Sequence, residues 1–107
     1  MNKTKGLPSG LSKAQVTSIQ GVFRSYPHIE RATLYGSRAK GNYRPESDID
    51  LSLHGSKLSY EELASIESDL DDLLLPHTID LSLIQHIDNE QLLQHIDRVG
   101  RSFYIKP

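Results

Sequence analysis

The sequence predicts a single small α/β (α+β) domain, built as a small mixed β-sheet with helices packed on it. Three observations predict it. Apolar residues at helical spacing alternate along the chain with short stretches of period two. Each helical stripe opens with the same signature: an apolar residue, a cap, a glutamine or glutamate and a second apolar residue. The resulting order is helix, strand, strand, helix, strand, helix and a short final strand, so helices and strands interleave within one layered unit.

The first helix is capped by Ser12, with Gln15 completing the box and Leu11 stapled to Val16. Val16, Ile19, Phe23 and Tyr26 form its buried face, and Pro27 stops it. Residues 31–35 (RATLY) make a short strand that runs into Gly36-Ser37. The segment from Arg38 to Ser47 is too rich in glycine, proline and charge for a strand, with room for a helical turn near Ala39. From Asp48 to Leu53 polarity alternates, which puts Asp48, Asp50 and Ser52 on one face and Ile49, Leu51 and Leu53 on the other.

The second long helix repeats the signature with Leu58, Ser59, Glu62 and Leu63, buries Leu63, Ile66, Leu70 and Leu73 or Leu74, and ends at Pro76. Residues 78–84 form a third strand, with Asp80, Ser82 and Ile84 opposite Ile79, Leu81 and Leu83. The last helix opens on Ile87, Asp88, Gln91 and Leu92, passes through Ile96 and Val99, and meets Gly100 as its C-terminal stop. Residues 101–105 add a short final strand. Residues 11–107 thus read as one domain, preceded by a flexible polar segment over residues 1–10 that contains Pro8 and Gly10.

Bulk composition narrows the function. The chain of 107 residues carries a net charge of −2, with 36% hydrophobic and 24% charged residues, which speaks against general nucleic-acid binding. It has no cysteine, so disulfides, thiolate metal sites and cysteine nucleophiles are excluded. No apolar run is long enough to span a bilayer, and no apolar region follows the N-terminal lysines as in a secretory signal. No membrane association is expected, and the cytoplasm is the default compartment.

The chemistry concentrates between Tyr35 and Leu53. Carboxylates at i and i+2 on a strand stand about 6–7 Å apart, near enough for their oxygens to converge on a hard cation. Asp80 is the other acidic residue in the middle of an apolar strand. If its strand lies beside 48–53 in matching phase, three carboxylates meet on one face, and divalent ions would relieve their repulsion. A Gly-Ser turn after a strand lets backbone approach a phosphate and offers N–H groups and a hydroxyl to it. Arg38, Lys40 and Arg44 are suited to phosphate charge, and each is equally consistent with a solvated loop. Ser47 reads as steadying the loop before the strand, with a contact to substrate as the alternative. An i, i+2 acidic pair alone is most often a solvent-facing strand edge; the Gly-Ser turn and Asp80 together move the balance to a metal site. The five histidines show no ligand spacing and receive no role.

Gly36-Ser-Arg-Ala-Lys-Gly41 followed by Ser47-Asp-Ile-Asp-Leu51 resembles the signature of the minimal nucleotidyltransferases of the DNA polymerase β-like superfamily. That signature is a Gly-Ser at a strand end, a linker, a D-x-D strand and a third aspartate on a later strand. The Ala-Lys-Gly run, where relatives often have Ala-Arg-Gly, is a mild departure. The resemblance implies a polymerase β-like fold and catalysis with two Mg²⁺ ions, Mn²⁺ being a substitute. Asp48, Asp50 and Asp80 would be catalytic and metal-binding, and Gly36, Ser37, Arg38 and Ser47 would contact the nucleotide. ATP is the expected substrate, with AMP moved to a hydroxyl and pyrophosphate released. The chain is short, like the antitoxin half of two-component modules paired with an all-helical HEPN protein, which implies a neighbouring HEPN toxin as partner and one of its tyrosines as acceptor. The competing reading is a binding module that neutralises such a partner by complex formation alone. The small core also leaves a homodimer open.

Overall fold

The computed structural model describes residues 9–107. Its elements are α1 (Lys13–Arg24), β1 (Arg31–Tyr35), α2 (Ser37–Lys40), β2 (Ile49–His54), α3 (Tyr60–Asp71), β3 (Ile79–Leu83), a 3₁₀ turn at Ile84–His86, α4 (Glu90–Val99) and β4 (Arg101–Ile105). The four strands form one mixed sheet in the order β3-β2-β1-β4. β1 is antiparallel to β2 and β4, whereas β2 and β3 are parallel. The parallel pair follows from α3, which carries the chain back across the sheet between β2 and β3.

Period two in the strands sorts the sheet into two faces. Ala32, Leu34, Ile49, Leu51, Leu53, Leu81 and Leu83 are buried in the core with Ile19 and Phe23 of α1 and Ile66 and Leu70 of α3. Phe23 meets Phe103 and Tyr104 edge-on, with ring centroids 6.3 and 5.7 Å away. Burial of each such side chain contributes about 1.5–3 kcal/mol. The opposite face carries Tyr35, Thr33, Asp50, Ser52, Asp80 and Ser82. Part of it is covered by α4, whose His95 lies edge-on to Tyr35 and whose following Gly100 packs against Thr33.

The capping box of α1 is present in full: Ser12 Oγ accepts from Gln15 N–H, and Gln15 Oε1 accepts from Ser12 N–H. Three expectations at the other helix ends need correction. Ser59 caps α3, but the Glu62 side chain leaves the box and pairs with His28 Nδ1 at 2.9 Å. The α3 helix ends at Asp71, and Leu74 takes a left-handed φ of 56° before Pro76 is reached. The cap of α4 is Asn89, not Asp88, because the 3₁₀ turn after β3 delays the helix start by one residue. Gly100 has an ordinary extended φ of −61°; it is glycine because a Cβ there would overlap Ile96 O and Thr33 Cγ2.

Of the expected flexible segment, residues 1–8 lie outside the described residues. Ser9 is buried, since its carbonyl accepts from Arg38 Nη1 at 2.6 Å. Among the described residues no helix is long and apolar enough to cross a membrane.

Candidate active site

The C-terminal end of β1 and the N-terminal ends of β2 and β3 meet at one edge of the face that α1 and α3 leave open, as their antiparallel and parallel pairings require. In register, Tyr35 of β1 sits beside Asp50 of β2, and Asp50 sits beside Asp80 of β3. A second row of hydroxyls stands one step behind, formed by Thr33, Ser52 and Ser82. Ser52 and Ser82 Oγ are buried with no protein hydrogen-bond partner. Asp48 immediately precedes β2 and is exposed, like Asp80, whereas Asp50 is half-buried.

Electrostatics ties the three carboxylates together. Asp50 is pushed up to about 6, first by burial, then by the charge of Asp80, then by that of Asp48. The Tyr35 phenol is raised too, by burial first, with the Asp50 and Asp80 charges adding to the rise. This is the environment a divalent cation suits: an acidic group kept partly out of water, with further carboxylates bearing on it. Among the described residues no three acidic or histidine side chains close into a cage that holds an ion unaided.

The Gly-Ser turn is built against this edge. Gly36 has φ 75° and ψ −159°, a combination open essentially to glycine. A Cβ on Gly36 would also overlap the Asp50 carboxylate, so the turn presses directly on the acidic row. Ser37 opens the single turn of α2, and Gly36 O accepts from Ala39 N–H and Lys40 N–H at 3.1 Å each. Gly36 N–H is already donated to His95 Nε2 at 3.2 Å. The N–H groups left for an anion are therefore those that begin α2, at Ser37 and Arg38.

Two expected nucleotide contacts have other partners here. Arg38 is 1% exposed, and its guanidinium donates to the carbonyls of Ser9, Pro45 and Ser47 rather than reaching the turn. Ser47 Oγ accepts from Arg44 N–H at 2.8 Å, which closes the loop before β2, in line with the steadying role. Lys40 and Arg44 are exposed.

Sequence reasoning missed His95 and His77. The spacing of Leu92, His95, Ile96 and Val99 at i, i+3, i+4 and i+7 carries a signal for the first, since it puts His95 on the inward face of α4. His77 precedes β3 and lies 3.3 Å from Arg38 Nη2, and no local pattern marks it.

The profile described as Polymerase beta, Nucleotidyltransferase matches residues 17–107. The chain belongs to this family. The nucleotidyltransferase domain has no match among curated protein sequences. Among solved structures it is similar to a chain of a toxin–antitoxin complex with AMP-PNP, at 20% identity over 85% of this chain and 73% of the other, with a TM-score of 0.70. It also resembles a chain of a tri-AMPylated Shewanella oneidensis HEPN toxin in complex with MNT antitoxin, at 17% identity over 90% and 74% of the two chains and a TM-score of 0.67. A chain of the toxin–antitoxin MntA–HepT follows at 18% identity, 89% and 74% coverage and a TM-score of 0.65. At these identities the likeness is one of fold, and the polymerase β-like nucleotidyltransferase fold is the expected one.

Proposed function

We propose that this nucleotidyltransferase domain moves AMP from ATP to a hydroxyl, with a tyrosine of a helical HEPN-type partner as acceptor. The observation that carries the reading is the in-register pairing of Asp50 with Asp80, with Asp48 near enough to act on Asp50 and the Gly36 turn against its carboxylate. Support for the partner and the nucleotide comes from the similar folds, which were crystallised as HEPN toxin–antitoxin complexes and with AMP-PNP.

In this reading Asp48, Asp50 and Asp80 hold Mg²⁺, or Mn²⁺ in its place. Bound there, such ions neutralise phosphate charge and make the acceptor hydroxyl more acidic. Ser37 and the first N–H groups of α2 take the β- and γ-phosphate oxygens. In the same reading Asp80, which is exposed, receives the acceptor's proton. The acceptor oxygen forms a bond to the α-phosphorus as the bond to the pyrophosphate oxygen breaks, and pyrophosphate leaves. The half-buried Asp50 stays fixed by its strand, so that phosphate and acceptor meet in one orientation. ATP as substrate makes the cytoplasm the expected compartment.

The test is transfer of label from α-labelled ATP, in Mg²⁺, to the helical protein encoded beside this chain. Wild-type protein should label that partner, and D48A or D50A should lower the rate by at least about a hundredfold, the scale on which loss of one preorganised charge acts. Undiminished labelling by both variants would overturn the assignment. Neutralisation of the partner by both variants, with no labelling by wild type, would instead establish the binding-module reading.

A further inference from the structure

Arg38 is among the largest fully buried side chains of the domain, and it is a charged one. A buried charge persists only when its donors are matched. Arg38 matches them without a carboxylate. Nη1 donates to Ser9 O at 2.6 Å, and Nε to Ser47 O at 3.1 Å. Nη2 reaches Ser47 O at 2.9 Å, Pro45 O at 3.2 Å and Arg44 O at 3.5 Å. His77 Nδ1 lies 3.3 Å from Nη2, and because a guanidinium has no acceptor, that ring nitrogen accepts. The Tyr43 ring covers the guanidinium carbon, 5.2 Å from its centroid. Gly10, at φ 71°, leads the chain across this cluster with no room for a Cβ beside Tyr43.

Loop carbonyls ordinarily face water. Here three from residues 44–47 turn inward onto one planar fork, so the guanidinium dictates the path of the loop. That loop ends at Ser47, whose carbonyl belongs to the peptide bond of Asp48. His77 stands three residues before Asp80, and Arg38 itself stands two residues after Gly36. One side chain therefore joins the three segments that carry the turn and two of the carboxylates.

We propose that Arg38 is a positioning residue rather than a phosphate ligand: its guanidinium sets the course of residues 43–47 and, through Ser47 and His77, fixes where Asp48 and Asp80 stand. The consequence for metal binding rests on the function proposed above; the hold on the loop does not. A lysine keeps the charge but not the fork, so it cannot bind the same set of carbonyls.

The test begins with the intact wild-type protein. The Arg38 Nε–H should be protected from solvent exchange, with separate Nη resonances from slowed guanidinium rotation; a freely exchanging, averaged signal overturns the proposal whether or not any variant folds. In R38K, amides of residues 43–48 should exchange at least about tenfold faster while those of β1 and β2 keep their protection; unchanged loop exchange overturns it. Mn²⁺ affinity should fall about tenfold in R38K, the scale of lost support around a metal ligand, with no further loss when R38K is added to D48N. Weaker binding of ATP without metal, at unaltered Mn²⁺ affinity and loop exchange, makes Arg38 a phosphate ligand and overturns the proposal. If wild-type protein binds no Mn²⁺, the metal reading of the carboxylates fails, and the resonance and exchange measurements still decide Arg38.

Discussion

Asp50 and Asp80 are direct register partners on adjacent parallel strands, and the charge of Asp80 bears on the Asp50 carboxyl. A central strand supplies the half-buried member and an edge strand the exposed one, so Asp50 bears most of the cost of crowding. Its carboxyl is pushed up to about 6 from an ordinary 3.8. Above about 6 the metal-free fold holds Asp50 ionised against burial and against its neighbours; below 3.8 it is protonated in both folded and unfolded chains and the cost is gone. Through this group, then, stability of the metal-free protein rises as pH falls across that window, opposite to the usual acid loss. Carbon-detected titration should find Asp50 near 6 and find it lower in D80N. An Asp50 midpoint that ignores D80N would show that the two carboxylates do not interact.

Gly36→Ala combines a forbidden backbone with an overlap onto Asp50. The backbone alone should cost about 1–3 kcal/mol. Chemical denaturation measures that loss, and a shifted Asp50 carbon resonance reports the displaced carboxylate. An alanine accepted without loss of stability would mean that the turn can relax away from the acidic row.

His95 Nε2 accepts the Gly36 N–H, so the neutral ring carries its proton on Nδ1. Long-range nitrogen–proton correlation spectra should show that tautomer. Removing the acceptor with H95F should cost about 1 kcal/mol, the ordinary worth of such a bond. A ring protonated at Nε2 in the neutral state contradicts the contact.

Gly100→Ala tests packing away from the acidic row. The added methyl meets Ile96 O and Thr33 Cγ2 between α4 and β1. Overpacking of this kind costs about 1–3 kcal/mol. Thermal unfolding should show the drop, and the carboxylate titration should stay as in wild type. A variant as stable as wild type would mean that α4 shifts freely on the sheet.

Much of the fold was legible because local chemistry dictates it. Ser12 and Gln15 close a box between neighbours three residues apart, and the alternation from Ile49 to Leu53 needs only the pleat to sort its faces. The Gly36 turn was readable for the same reason, since its glycine answers to its own backbone. Where the reading slipped, a distant partner had intervened. Glu62 abandons its box because His28, far away in sequence, offers a charged hydrogen bond. For Arg38 the sequence left phosphate and a solvated loop both open; in three dimensions inward-turned carbonyls bond its guanidinium.

By itself, the sequence determined the helices, the strands and the candidate set of Gly36, Ser37, Asp48, Asp50 and Asp80, since capping, periodicity and turn chemistry act over a few residues. Only the tertiary structure decided that Asp80 stands beside Asp50 and not a residue out of step. A slip of one residue in β3 would turn that carboxylate into the core, and burial of Leu81 and Leu83 against α3 and β2 prevents it. Tertiary structure alone also decided that His95 meets the Gly36 N–H and that Arg38 lies inside the loop, because helical spacing turns a side chain inward without saying which distant group it will meet.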